Sequence, residues 1–352
     1  MSVYWAILIL PALLGLSPVK ADHNLKTLIL LMFGLMLIIL IGFRHEVGGD
    51  WFRYLEITNK INIGEFNLAQ ESGGIGYQSV QWVSVNYLNG VYATNLICAI
   101  FFVFGLVRFC ENLPIPWLAL FVSTPFLIVV VSMGYTRQAA AIGFLMWGLV
   151  DLMNGKRIPF VVSVLIASLF HITAVVMLPI ALLYRKRKMS FIHFFGISLL
   201  ILLLVFILFS IFYEQLNHMI YYYITIKLHH SGGAIARVLM NFSAAVVFLF
   251  YRKQFRQKYH DEKLWFIFSM INILLLPASF YYSTVVDRFA IYFLPLQLVI
   301  FSRVPTLISS KYNRTIFILG TIFIYFSALF VWLFFGRHSN TWLPYQNLLT
   351  IY

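Results

Sequence analysis

Arginine placement carries the first chemical signal in this chain. Arg137, Arg237 and Arg288 each open a predicted helix, at 136–154, 234–251 and 287–303. The unpaired backbone N–H groups and dipole of a helix N-terminus favour an anion, and a guanidinium there adds a planar, permanently charged fork suited to phosphate. Arg44 approaches the same plane from the end of a helix predicted at 27–43. Together the four predict a phosphate or pyrophosphate site where these helix ends meet. Asp287 either pairs with its neighbour Arg288 or caps the helix that follows.

A second signal follows Arg44 directly. Residues 44–54, Arg-His-Glu-Val-Gly-Gly-Asp-Trp-Phe-Arg-Tyr, place Arg44, His45, Glu46, Asp50 and Arg53 beside two glycines and the aromatics Trp51, Phe52 and Tyr54. Gly48 and Gly49 admit backbone conformations closed to other residues and let a ligand approach the main chain. A plainer reading makes this an interfacial loop with Trp51 and Tyr54 as headgroup anchors. His171, in Ser168-Leu169-Phe170-His171-Ile172-Thr173-Ala174, is the one ionisable group within an apolar run. It can take a proton or meet a sugar hydroxyl, or serve as a hydrogen-bonded core histidine. No HExxH, Cys/His cluster, Asp-x-Asp or phosphate loop is present, so no metal or cofactor is expected and activation falls to the substrate's own leaving group.

The elements that must position these residues are membrane helices. The 352 residues are 61% hydrophobic and 11% charged with a mean hydropathy of +0.88, too little polar residue to cover a soluble globule. Apolar runs of about 17 to 23 residues suit spanning helices and lack the alternation of a β-barrel. The expected fold is all-α, a polytopic bundle with spans at 2–18, 27–43, 95–109, 117–134, 136–154, 190–212, 234–251, 264–282, 287–303 and 315–336, in one integral-membrane domain over 1–352. Val3–Leu16 reads as a retained first helix because no positive residue precedes it. Cys98 and Cys110 would stand about 18 Å apart on one helix and cannot bridge.

The +13 charge reads as topology and not as nucleic-acid binding, because no long basic run interleaves with aromatics. With the N-terminus outside, the clusters at 156–157, 185–188 and 252–263 fall inside. Basic residues on both sides of 158–183 then require a re-entrant hairpin that turns near Phe170-His171-Ile172-Thr173. The arginines left outside stand at helix ends. Each taken singly could snorkel to lipid headgroups. Arg137 fits that least, since Ala139, Ala140, Ala141 and Gly143 mark a close-packing face. Outer loops 44–94 and 213–233 carry Tyr, Trp and Asn, and residues 76–88 are predicted to form an amphipathic interfacial helix.

Arg44 with Gly49-Asp50 and Tyr54, the turn from Glu71 to Gly76-Tyr77, Tyr135-Thr136-Arg137-Gln138-Ala139, Phe170-His171-Ile172-Thr173-Ala174, and Asp287-Arg288 with Tyr292 occur in this order. Together they resemble the EpsG family of Wzy-like polysaccharide polymerases over about 35–345. The resemblance implies a multi-pass, GT-C-like glycosyltransferase of the bacterial inner membrane, with its site toward the periplasm or outside. Its substrate would be undecaprenyl-pyrophosphate-linked oligosaccharide, with membrane lipids around it and room for a chain-length regulator protein as partner. Arg137 and Arg288 would hold the donor pyrophosphate, with Arg237 and Arg44 on donor or acceptor. The base is Asp50 or His171, and Gly49, Tyr54, Glu71, Tyr77, Tyr135, Gln138 and Tyr292 would complete substrate binding. A lipid-linked oligosaccharide flippase, an O-antigen ligase and a multi-spanning acyltransferase are the rival readings. A flippase is disfavoured because the unusual charges collect at one face and no internal repeat is visible.

Overall fold

The computed structural model describes residues 1–16, 22–64, 74–184 and 233–351, with a few helical positions between 196 and 221. The described chain is almost wholly helical. The exception is a two-residue antiparallel pairing of β1 (Arg44–His45) with β2 (Gln346–Asn347). Asn24–Gly42, Gly90–Glu111, Ala234–Lys258, Glu262–Tyr281 and Lys311–Phe335 are long and apolar enough to cross a membrane. A sixth span is obtained if Ser283–Phe293 and Pro295–Thr306, bent by 46°, count as one. The protein is therefore a multi-pass membrane protein. Most of the expected helix at 190–212, the 185–188 cluster, Glu71 and nearly all of loop 213–233 lie outside the described residues.

Side-chain contacts sort the helix termini into two ends. At one end, here the basic end, Thr27 donates to Glu111 at 3.0 Å, Arg108 pairs with Asp151 at 3.2 Å, Ser302 accepts from Ile115 N at 3.0 Å, and Arg303 pairs with Asp261 at 2.7 Å. At the other, the site end, Arg44 meets Thr136, Tyr4 donates to Trp342 O, and β1 meets β2. Both chain termini thus come to the site end.

The helix α1 (Thr136–Met153) is the axis of the bundle, with fourteen of its eighteen residues buried. It is too polar at its start to count as a span by composition, and neighbours enclose it instead of lipid. Its Gly143 meets the backbone of Phe101 and Phe102, and Gly105 of the facing helix α2 (Gly90–Glu111) meets Gly143, so that a Cβ at either position would collide. This is the small-residue close packing expected of the Ala139–Gly143 face. Cys98 and Cys110 both lie on α2, buried and unbridged.

Before α1, the helix Pro116–Ser123 runs on as nine π-helical residues, Thr124–Ser132, all buried. Helices of this kind are short and recur beside functional sites; this one delivers the chain to Met133, Gly134 and Tyr135 at the site end. After α1, α3 (Arg157–Phe170) leaves the basic end and stops at His171, whose backbone is extended at φ −150°, ψ 112°. The chain then turns through Ile172–Met177, packs back on α3 and continues as Leu178–Leu183. Tyr184 returns to the electrostatic neighbourhood of Arg157, Asp261 and Arg303 at the basic end. The segment enters and comes back, with its turn at the predicted residue.

Candidate active site

Two short helices at the site end cover the tip of that hairpin. The chain leaves β1 through Glu46 (φ 52°) and Gly48 (φ 108°). A Cβ on Gly48 would strike Met133 O, so the left-handed glycine here permits both the turn and the close approach. Helix α4 (Trp51–Asn62) follows, then α5 (Ile75–Tyr87). Gly74 and Gly76 lay the start of α5 directly on Leu169 and Phe170, immediately before His171.

Helix α5 turns its more polar face to the protein. Tyr77, Gln78, Gln81 and Ser84 are buried, whereas Ile75, Trp82, Val83 and Tyr87 are exposed. The interfacial-anchor reading of 44–54 fails because both of its rings are packed inside the protein. Trp51 and Tyr54 are 2% and 1% exposed, Trp51 packing with His45 and Tyr92, and Tyr54 with Tyr77.

The four arginines divide into two kinds. Arg44 is 1% exposed and donates to Ile41 O (2.6 Å), Val47 O (3.2 Å), Asn95 Oδ1 (3.1 Å) and Thr136 Oγ1 (2.6 Å). It ties the end of one helix to the start of α1, one residue before Arg137. Arg237 is also buried, and its fork closes on Asp287, with Nε donating to Oδ1 at 2.6 Å and Nη2 to Oδ2. Asp287 thus pairs with Arg237, because helix packing brings residue 237 to it across fifty residues of sequence.

Arg137 and Arg288 are only half-buried. The Arg137 guanidinium lies 5.8 Å from the Tyr77 ring centroid and 6.0 Å from that of Tyr54, bonds the Tyr54 hydroxyl and feels the charge of Asp50. Asp50 itself accepts from Tyr54 Oη at 3.2 Å. Burial holds the Tyr54 and Tyr77 phenols above their ordinary range, so both are neutral hydroxyls at neutral pH. Arg288 and Arg137 are the two cations acting on His171. Arg288 also shares the surroundings of Tyr135 with Arg237, Asp287 and Asp50.

His171 completes the cluster. Its Nδ1 lies 2.6 Å from Thr173 Oγ1 and 3.2 Å from Tyr292 Oη, Thr173 donates to Tyr292 at 3.0 Å, and Gln138 bonds Tyr292 and donates to Arg288 O at 3.1 Å. Five separate segments thereby place Asp50, Tyr54, Tyr77, Tyr135, Arg137, Gln138, His171, Arg288 and Tyr292 in one neighbourhood, with Arg237 at its edge. The half-buried members are Asp50, Tyr135, Arg137, His171 and Arg288, which form the surface a ligand can reach. Gly49 is exposed beside them, with the Trp342 ring 4.0 Å from where its Cβ would be.

Sequence reasoning passed over three supports of this site. Asn95 and Thr136 receive Arg44, and Trp342, 2% exposed, packs on Gly134 while its Nε1 donates to Val129 O at 2.9 Å. Asn95 was detectable as an amide opening an apolar run; nothing around residue 342 distinguishes it from an interfacial tryptophan.

The arrangement defines a helical membrane protein with an arginine-rich, metal-ligand-poor cluster at one end of its bundle. Family comparison takes this one step further: residues 27–347 match the EpsG family, and the chain belongs to that family, a group of Wzy-like polymerases. No curated protein and no solved structure matches the chain.

Proposed function

We propose that this protein joins undecaprenyl-pyrophosphate-linked oligosaccharide repeat units into a surface polysaccharide at the outer face of the bacterial inner membrane. The observation that carries the reading is the convergence of Arg137, Arg288, His171 and Asp50 on one half-buried patch, in a chain of a Wzy-like polymerase family. A hydroxyl of the acceptor unit attacks the anomeric carbon of the donor, and the lipid pyrophosphate leaves. Arg137 and Arg288 neutralise the charge growing on that leaving group, a task two guanidinium forks perform without a metal. Asp50 or His171 takes the hydroxyl proton.

The remaining site residues serve this pair. Arg44 positions the start of α1 through Thr136, and Arg237 fixes Asp287 next to Arg288. Tyr54, Tyr77 and Tyr135, with Gly49, offer rings and accessible backbone to sugar, and Glu71 and loop 213–233 are further substrate-binding candidates. Gln138 and Tyr292 hold His171. In this reading the chain is one GT-C-like domain of about ten spans with a re-entrant hairpin at 158–183, surrounded by membrane lipids and working with a chain-length regulator.

Purified protein in detergent receives a synthetic undecaprenyl-pyrophosphate repeat unit and no nucleotide sugar. A ladder of longer glycans on lipid is the expected product. Lipid movement across a vesicle without a ladder would instead mark a flippase. Reporter fusions test the orientation: both termini outside, with the 185–188 and 252–263 loops inside. Either loop found outside overturns it.

A further inference from the structure

The hydrogen-bond pattern at the hairpin tip fixes more than the position of His171. Thr173 has a single hydroxyl proton, and its geometry gives that proton to Tyr292 Oη at 3.0 Å. The 2.6 Å contact between His171 Nδ1 and Thr173 Oγ1 is a hydrogen bond and needs a proton between its atoms. With the threonine proton on Tyr292, the proton in the shorter contact comes from the imidazole, whereas Thr173 donating to Nδ1 would put the ring proton on Nε2. In the first arrangement Nδ1 is the protonated nitrogen of the neutral ring and Nε2 carries the lone pair. Thr173 is 6% exposed and Tyr292 0%, so both hydroxyls are held inside the protein. His171 as a residue is half-buried, and among the described residues its Nε2 makes no hydrogen bond. The nitrogen with the lone pair is thus the one left to meet a ligand, in a ring acted on by Arg137 and Arg288.

We infer that Thr173 and Tyr292 are positioning residues that lock His171 in its Nδ1–H tautomer, which makes Nε2 the base that receives the acceptor hydroxyl proton. The inference rests on the polymerase reading and decides between its two candidate bases. As the acceptor oxygen bonds to the anomeric carbon, its proton passes to Nε2 and the ring becomes imidazolium. The bond from that carbon to the pyrophosphate oxygen breaks, and the electron pair leaves with the pyrophosphate. The imidazolium then returns its proton from Nε2 to water or to the departed pyrophosphate. The hydroxyl chain stays intact throughout, because Nδ1 keeps its own proton. Asp50, hydrogen-bonded to Tyr54 and acting on Arg137, is left to orient that arginine.

The test combines a spectroscopic readout with a pair of isosteres. In full-length protein with 15N-labelled histidine in detergent, the His171 signals are assigned by their loss in His171→Asn. Wild type is expected to show the Nδ1–H tautomer, Thr173→Ser to keep it and Thr173→Val to lose it. Ladder formation in Thr173→Ser should stay within a few-fold of wild type. Thr173→Val should fall by roughly tenfold or more while its affinity for the lipid-linked unit changes by about twofold at most. The amide nitrogen of His171→Asn overlays Nδ1 and still reaches Thr173, but supplies no lone pair at Nε2. It should therefore fold normally and lose roughly 10²- to 10⁴-fold in rate. An Nε2–H tautomer in wild type, or Thr173→Val with unaltered turnover, overturns the inference. Absence of any ladder from wild type would sink the polymerase reading alone, since the tautomer is measured without turnover.

Discussion

The two ends of the bundle handle arginine in opposite ways. At the basic end three buried or half-buried arginines meet carboxylates: Arg108 with Asp151, Arg252 with Glu262, and Arg303 with Asp261 through a bidentate pair at 2.7 and 2.9 Å. Among the described residues of the site cluster, Arg44, Arg137, Arg237 and Arg288 stand with two carboxylates, Asp50 and Asp287, and one of those is committed to Arg237. A buried ion pair is neutral toward its surroundings and closes a structure. A cluster with more cations than anions keeps a positive field, which in a low-dielectric site acts strongly on an incoming phosphate. The difference separates arginines closed on carboxylates from Arg137 and Arg288, the pair proposed to face a ligand.

Substituting the two kinds of arginine breaks or sharpens this contrast, and Arg137 should give the largest effect. Lysine keeps the charge but loses the fork, so Arg137→Lys is expected to lose roughly 100-fold or more in polymerisation, nearly as much as Arg137→Ala. The readout is the chain-length distribution of surface glycan at matched protein level. Wild-type polymer from Arg137→Lys would make it another structural or lipid-facing arginine and erase the contrast.

At the basic end the expected effect is on folding. Arg303→Ala leaves Asp261 buried without its fork and should cost about 3–5 kcal/mol, seen as loss of detergent-stable protein. Adding Asp261→Leu to Arg303→Met should restore most of that stability together with normal glycan. The matching double substitution at the site end, Arg237→Met with Asp287→Leu, should also fold but shorten the glycan. If both doubles behave alike, the two ends do not differ in the way described.

Arg44 gives an intermediate case, because it lies in the site cluster but is wholly engaged by protein acceptors. Arg44→Lys is expected to lower stability by about 1.5–3 kcal/mol, with a melting temperature that falls in parallel with activity. The smallest effect should come from Trp342→Phe, which removes the Nε1 bond to Val129 O and costs about 1 kcal/mol by thermal unfolding. The exposed Arg53 serves as the reference point: Arg53→Lys should leave both glycan and stability unchanged.

Composition and apolar run length settled the helical membrane class, because hydrocarbon requires every backbone group to be satisfied within a helix. Basic flanks on both sides of 158–183 gave the hairpin and its turn at His171, since charge asymmetry is a local property of sequence. The small-residue face Ala139–Gly143 gave the close approach of α1 and α2 for the same reason. Arg137 and Arg237 stand in the first turns of their helices as expected, whereas Arg288 falls in the last turn of Ser283–Ala290 and opens no helix. Which arginines serve structure depended on partners far away in the chain. Arg44 was distinguished from Arg137 only when Asn95 and Thr136 came to it, and Arg237 only when Asp287 did. The inward face of α5 likewise required the tertiary structure: an amphipathic pattern specifies two faces, and packing against Leu169 and Phe170 decided which of them turned to the protein. Residue types and their spacing therefore determined the class of fold and prompted the proposal of an anionic ligand. The contacts between distant segments decided which cations meet carboxylates and which side chains are brought together at the site end.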